Sequence, residues 1–577
     1  MRSELRFAPA LVDVEHRPDG SVILRSPQPL GRCERSIGEW LVRWARDVPD
    51  RVFLADRTGW PWRTVTYREA LGAARSIGQA LIDRRLDDGH PVAVLSDNSV
   101  DHALVALGAM FIGVPVAPIS AAYSLASRDH AKLRAIFRLL KPGLVFADDR
   151  EKFAPALEAV EREPTPIAEL RAATPTGAVE HAFARVGPET IAKILFTSGS
   201  TGTPKGVINT HGMLAANQQM LAQGWPFVED RPPVVVDWLP WSHTFGGNHN
   251  FNLVLRNGGS LFIDGGKPAP GLIEETVHNL RDIAPTMYFN VPRGFDLLLP
   301  YLEDDAALRR RFFRNLDLLF YAGAALPQNL WERIERLALA ETGGRLAMVS
   351  AWGSTETSPL ATQVHFPIDR AGVVGLPAAG CEIKLIPSAG KLEARVRGPN
   401  VTPGYYRRED LTREAFDDEG FYRIGDALKF VDPARPASGL VFDGRVAEDF
   451  KLTTGTWVHV GAVRVRLIAA GDPLIQDAVI TGHDRNEVGA LVFLTAAAKQ
   501  MDSDRAREQL ATALSALAAG STASSMCPVR ALIATEPLSI DAGEITDKGY
   551  INQRAVLERR AALVNELYGD GASVVRP

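Results

Sequence analysis

The segment LFTSGSTGTPKGV, residues 195–207, limits what this chain can be more than any other stretch. An apolar strand enters it, ten residues of Gly, Ser, Thr, Pro and one Lys follow, and an apolar pair leaves. Glycines such as Gly199 and Gly202 let the backbone curl and turn its N–H groups inward. Hydroxyls at Thr197, Ser198, Ser200, Thr201 and Thr203 add donors, and Lys205 adds positive charge. That is an inventory for holding a polyphosphate. A Walker-type loop needs Gly before its Lys and Ser or Thr after it. Here Lys205 follows Pro204 and precedes Gly206, so that template fails. A flexible linker fits poorly, because the segment lies between apolar strands rather than between domains.

The chain has 577 residues, too many for one compact core, so two or more domains are expected. A net charge of −5 leaves no global electrostatic footprint for nucleic acid. The cysteines, Cys33, Cys381 and Cys527, are far apart and not in CxxC spacing. A disulfide framework or zinc site is therefore not expected, and a reducing compartment fits. The N-terminus mixes acids and bases among its apolar residues and does not read as a signal peptide. The most apolar stretch, residues 104–119, is shorter than a bilayer span and carries Gly and Pro. It reads as a buried helix running into a strand, and no membrane span is expected.

Helical and strand patterns alternate over the first three quarters of the chain. Residues 37–46, 67–84 and 271–282 have helical apolar spacing, and residues 92–95, 144–146, 191–196, 234–239 and 286–290 read as short strands. Such alternation predicts α/β layers. Near 380–445 the character changes to neighbouring strands at 382–386 and 391–397 with turn-rich sequence after them. Beyond 445, strands at 478–481 and 490–493 and helices at 505–518 and 553–567 suffice for a small α+β domain. The expected division is residues 1–444 and 445–577.

The TSGSTGTPKGV segment resembles the signature of the adenylate-forming superfamily, which includes acyl-CoA synthetases, firefly-type luciferases and peptide-synthetase adenylation domains. Other motifs of that superfamily recur in order. The segment AWGSTETS, 351–358, resembles its aromatic-Gly-x-Thr-Glu element. The resemblance implies Trp352 and Gly353 against adenine, Thr355 on the α-phosphate and Glu356 as a Mg²⁺ ligand. A carboxylate beside phosphates needs a cation between them. GFYRIGD, 420–426, resembles the Tyr-Arg-Thr-Gly-Asp element, with Ile424 in place of Thr. It implies that Asp426 accepts both ribose hydroxyls. Gly444-Arg445 resembles the Gly-Arg of the domain junction, where Arg445 would bind ribose or phosphate. The usual hinge Asp or Lys is replaced by Ala447. AGEITDKG, 542–549, resembles the region of the catalytic lysine. Glu544 occupies the position where many members carry Lys, and Lys548 is the candidate to bridge the substrate carboxylate and the α-phosphate.

The family places the residue at His243 beside the acyl group. Trp241, Asn290, Tyr321, Ala322 and Gly323 are further wall candidates, small residues leaving room for a flat group between aromatic faces. The stretches VDWLPWSHTFGGNHN and GLVFDGRVAEDFKLTTGTWVHVG resemble bacterial feruloyl-CoA synthetases, a branch acting on hydroxycinnamic acids.

The resemblance implies a large N-terminal domain of α/β layers with a β-rich subdomain, and a smaller mobile α+β C-terminal domain. It implies an acid–CoA ligase that uses ATP and Mg²⁺ to form an acyl-adenylate and passes its acyl group to the thiol of coenzyme A with AMP leaving. Absent targeting signals and the need for ATP and coenzyme A suggest the cytoplasm, with a homodimer left open. Three alternatives stand beside it. One is a CoA ligase for another aryl or medium-chain fatty acid, and one an adenylation enzyme loading a carrier protein. The third is a non-enzymatic nucleotide-binding regulator, suggested by Ile424, Ala447 and Glu544.

Overall fold

The computed structural model describes residues 5–57, 59–198, 204–388, 390–520, 524–546, 549 and 551–577. They form two compact units. The larger comprises Met1–Ile386, Ala394–Ile424 and Phe430–Val441, and the smaller Pro387–Glu393, Gly425–Lys429 and Phe442–Pro577.

In the larger unit a five-stranded sheet runs in the order Leu144–Ala147, Val92–Leu95, Val116–Pro118, Ile191–Ser198, Pro204–Thr210. The first four strands are parallel, and the fifth returns antiparallel from the fourth. Every residue of Val92–Leu95 is buried, as a central parallel strand covered on both faces requires. The apolar helix Val100–Phe111 precedes the strand Val116–Pro118, matching the buried helix and strand read at 104–119. A second sheet holds Val234–Asp237, Ser260–Ile263, Val52–Asp56 and Arg63–Thr66. The helix Tyr67–Asp83 starts on a capping box, in which Thr66 and Glu69 satisfy each other's backbone N–H.

In a third sheet Met287–Asn290, Leu318–Tyr321 and Ala347–Gly353 lie parallel in register, and Leu360–Gln363 and Val373–Pro377 continue antiparallel. Glu382–Ser388 and Lys391–Arg397 are neighbouring strands, as expected. An N-terminal hairpin, Asp13–His16 with Val22–Arg25, pairs onto Glu382–Ser388. Nothing in the residue pattern had marked that hairpin.

The smaller unit has a sheet of Ile475–Thr481, Gly489–Leu494 and Arg530–Ile533. The period of two sends alternate residues to opposite faces. Ala478, Ile480, Ala490 and Val492 join one core with Leu510 and Leu514 of the helix Ser503–Ala519. Val479, Leu491 and Phe493 join another with Val556 and Leu567. The helix expected over 553–567 is two helices, Gln553–Arg559 and Ala561–Leu567. The break falls at Arg560, whose guanidinium binds Glu544 and the carbonyls of Glu536 and Pro537.

Candidate functional site

The phosphate segment is a hairpin connection rather than a strand-to-helix turn. Thr197 pairs with Lys205 and Ser198 with Pro204. The expected loop residues Gly199, Ser200, Thr201, Gly202 and Thr203 lie outside the described residues. At the described edge the half-buried Lys205 ammonium donates to the Tyr405 hydroxyl at 3.3 Å and sits 4.4 Å from that ring's centre. The same hydroxyl donates to Glu356 Oε1 at 3.0 Å. Tyr422 bonds to both Tyr405 and Glu356. Burial, reinforced by the Glu356 charge, pushes both phenols up and keeps them protonated donors.

Backbone contacts bring these groups together. Tyr406 N donates to Gly206 O at 2.8 Å, Ile208 N to Gly404 O at 3.1 Å and Thr402 N to Glu356 O at 2.7 Å. The strand residues after Lys205, the short turn Thr355–Thr357 and the segment 402–406 thus form one hydrogen-bonded cluster. Glu356 and Thr355 are both buried. The turn after them is clamped by two amides. Asn217 Nδ2 donates to Thr357 O and Leu360 O at 3.2 and 3.0 Å, and Asn400 Nδ2 donates to the same oxygens at 3.1 and 2.7 Å. Trp352 is buried on the adjoining strand, opposite Thr362. A Cβ on Gly353 would overlap the Pro359 carbonyl oxygen, so this position admits only glycine.

Tyr405, Tyr422, Asn217 and Asn400 were not singled out from the sequence. For Tyr405 a signal existed: it follows a glycine in the turn-rich run after 398.

The parallel strands of the third sheet end together, with Asn290 opposite Tyr321 and Tyr321 opposite Ser350. Carboxyl ends of parallel strands are where open α/β sheets bind ligands. Asn290 and Tyr321 nonetheless spend polar atoms on the fold. Asn290 Oδ1 accepts from Trp238 Nε1 at 3.1 Å and Val291 N at 2.9 Å, while its Nδ2 donates to the Tyr288 hydroxyl at 3.1 Å. The Tyr321 hydroxyl accepts from Gly372 N at 3.0 Å, and burial pushes it up to about 12. Ala322 is half-buried and Gly323 exposed. Trp241 is buried between His102 and Phe251, with each ring centre 5.1 Å away. His243 lies just before a π-helical turn, Phe245–Asn250, and its carbonyl accepts Gly247 N at 2.8 Å. Within that turn His249 stacks on Phe320 at 4.9 Å, and burial pushes its imidazole down to about 4. His249 is therefore a neutral aromatic wall at ordinary pH.

In the smaller unit Asp426 is buried and lies 3.5 Å from Arg445 Nε, while the Arg445 side chain is 65% exposed. Ala447 sits in the short turn Val446–Glu448, where burial pushes Glu448 up. Next to it Asp449 pairs with Lys391 and caps Val460 N at 3.0 Å. Lys548 lies outside the described residues. Glu544 is fully buried, bound by Arg560 Nε at 2.7 Å and Nη2 at 3.0 Å. It serves as an internal staple.

Among the described residues no group of three His, Cys, Asp or Glu side chains could hold a metal by itself. The single Glu356 carboxylate suits magnesium, which is commonly held by one or two carboxylates plus phosphate oxygens and water. Among the described residues no helix is long and apolar enough to cross a membrane.

Residues 41–406 match the family model described as AMP-binding enzyme, and residues 452–572 match the AMP-binding enzyme C-terminal domain. The chain is 23% identical over 578 aligned positions to a carboxylic acid reductase of Segniliparus rugosus, covering 88% of this chain and 47% of the reductase. It therefore spans about half the length of that relative. It is 26% identical over 467 residues to a 3-hydroxybenzoate–CoA ligase of an Aromatoleum species, covering 77% of this chain and 83% of the ligase. Among solved structures it is similar in fold to the o-succinylbenzoate coenzyme A synthetase of Bacillus subtilis in complex with AMP. The TM-score is 0.68 at 18% identity, over 91% of this chain and 98% of that one.

Proposed function

Because this chain belongs to the AMP-binding enzyme family, we propose that it activates a carboxylic acid with ATP as an acyl-adenylate and then passes the acyl group to the thiol of coenzyme A. The observation that carries this reading is the Lys205–Tyr405–Glu356 relay. It joins a cation and a carboxylate through one phenol hydroxyl, at the edge of a loop rich in phosphate donors.

The chemistry is a displacement at phosphorus. A carboxylate oxygen attacks the α-phosphorus and pyrophosphate leaves. Two anions do not approach in water, so positioning and charge neutralisation dominate. Lys205 and the 197–203 hydroxyls hold the phosphates. Tyr405 fixes the Glu356 carboxylate, and the clamped 357–360 turn fixes its backbone. Glu356 would hold magnesium, which would supply charge to neutralise the phosphates. In this scheme Thr355 contacts the α-phosphate, Trp352 and Gly353 flank adenine, and Asp426 and Arg445 hold the ribose. Lys548 bridges the carboxylate and the α-phosphate. Residues 1–444 hold acid and ATP, and 445–577 bring Lys548 and then withdraw it.

The acid is proposed to be a hydroxycinnamate such as ferulate, bounded by His243, Trp241 and Tyr321. Similarity to a 3-hydroxybenzoate–CoA ligase supports a flat aromatic substrate. Supplies of ATP and coenzyme A put the reaction in the cytoplasm. Similarity to a carboxylic acid reductase over 88% of the chain favours a second reading, the same adenylation with another acceptor.

The test is acid-dependent exchange of labelled pyrophosphate into ATP across ferulate, coumarate, caffeate, benzoate and medium-chain fatty acids. Glu356→Gln should lower exchange by about 10²-fold, the usual scale for one lost transition-state contact. No exchange with any acid would remove the proposal. Adding coenzyme A and assaying thioester separates the two acceptors. Lys548→Ala should impair exchange far more than thioester formation from supplied acyl-adenylate.

A further inference from the structure

Lys193 is a lone charge inside an apolar strand, and its side chain is only 5% exposed. Among the described residues it forms no ion pair. Its ammonium donates to the carbonyl of Gly247 at 2.6 Å, inside the π-helical turn Phe245–Asn250. Directly across the hairpin Lys193 pairs with Asn209, whose Oδ1 accepts from Asn248 Nδ2 at 2.8 Å. Gln218 completes the set, donating to the carbonyls of Asn248 and His249 at 3.1 Å each.

A π turn closes through a wider ring than an α turn and is uncommon, so something must hold it. Here three consecutive carbonyls, at residues 247, 248 and 249, accept from side chains. Two of the gripping residues, Lys193 and Asn209, belong to the hairpin whose tip is the phosphate loop. On the other side the turn has no slack: a Cβ on Gly246 or Gly247 would meet the carbonyl oxygens of Leu239 and Trp241. The turn therefore moves with the 239–241 backbone and with the hairpin, or not at all.

We infer that Lys193, with Asn209, is a positioning residue that registers the acyl-facing turn against the phosphate hairpin, so that ATP and acid tighten each other's binding. This rests on reading the segment from His243 to His249 as the acyl wall. Five residue-to-residue steps of strand separate Lys193 from Ser198, roughly 16 Å. Lys193 thus touches neither phosphate nor acid and acts through the backbone it holds. Burial pushes its ammonium down to about 7. His102 and His211, the neighbouring titratable groups, are held neutral by burial and by its charge. Nearby charge is thus kept low, and the Gly247 carbonyl is the group left to satisfy it.

Coupling between two ligands is a reciprocal factor, commonly about 5- to 150-fold. The test uses the full chain and the acid that supports exchange best. Acid affinity is titrated with and without a non-hydrolysable ATP analogue in wild type, Lys193→Met, Lys193→Arg and Asn209→Ala. The analogue should tighten acid binding about tenfold in wild type and less than about threefold in Lys193→Met and Asn209→Ala, with Lys193→Arg retaining the effect. Asn209→Ala gives up its buried bonds to Asn248 and the Val207 carbonyl and should lower the thermal midpoint modestly, while analogue affinity alone should change little, which keeps the test valid if Lys193→Met folds poorly. Undiminished coupling in both variants overturns the inference. So does a uniform loss of every affinity together with the thermal midpoint, the mark of a structural residue. If wild type exchanges pyrophosphate with no acid, the function itself fails. If it exchanges but shows no coupling, this inference alone fails.

Discussion

Lys193 in the larger unit and Glu544 in the smaller are both charged side chains taken out of water, yet they are handled in opposite ways. Lys193 meets a single backbone carbonyl, and burial lowers its ammonium to about 7. Burial alone would raise Glu544, but Arg560 and Ser539 N hold it below the usual carboxylate range. The larger unit repeats its pattern at His102, His211 and His249, all neutralised by burial. The smaller repeats its own at Lys391 with Asp449, and the larger uses that second pattern too, at Lys384 with Asp417. Suppressed charges leave a polar atom to shape irregular backbone, as at the π turn. Paired charges pin one segment to another and stay charged.

The contrast is broken most directly at Arg560. Arg560→Met leaves buried Glu544 with only the longer cation contact to Arg559, at 3.8 Å, and the smaller unit should lose about 3 kcal/mol. Urea unfolding followed in that unit measures it, and the double change Glu544→Gln with Arg560→Met should recover most of the loss. A cost near zero for the single change would mean the pair is no staple.

A second prediction sharpens the other side. The folded-state values of His102, His211 and His249 lie near 4, 3 and 4, below the ordinary 6.5. Depressed groups contribute stability that is complete above the unfolded value and lost as pH falls through the folded one. The larger unit should therefore lose several kcal/mol as pH drops from about 6.5 toward 4. Asp237 opposes this. Its folded value is raised to about 7 by burial, so its contribution is complete below 3.8 and lost as pH rises toward 7. Asp148 and Asp264, also raised by burial, act with Asp237, while the lowered carboxylates Asp97, Glu382 and Asp417 act with the histidines, and thermal midpoints across pH should fall on acidification. His211→Asn, which can still accept from Ile37 N, should flatten the slope.

The smallest effect is at Tyr405. Tyr405→Phe keeps the ring over Lys205 and removes one hydroxyl, costing about 1 kcal/mol and roughly fivefold in exchange rate. An unchanged rate would show that Lys205 and Glu356 act without the relay.

The Glu356 turn was marked by its resemblance to a family element, whereas the strands that flank the phosphate segment were legible because local composition marks them: glycines, hydroxyls and one lysine between apolar runs. The α/β layering was legible for the same reason, since period and burial agree along each strand. The wall candidates were named from the resemblance, but the contacts that seat them were not legible. Asn290 and Tyr321 earn their positions through long-range bonds to Trp238 and Gly372 that no spacing announces. The amide clamp of Asn217 and Asn400 joins residues far apart in the chain. Lys193 lay in plain view, a charge in a strand buried on both faces, and that mismatch was the available signal.

The turn Phe245–Asn250 has one more consequence. A π turn spans one residue more per hydrogen-bonded ring than an α turn. Removing a single codon there would let the turn relax to the commoner α period and break the close seats of Gly246 and Gly247 against the Leu239 and Trp241 carbonyls. One deletion would thus redraw this backbone without exchanging any amino acid for another.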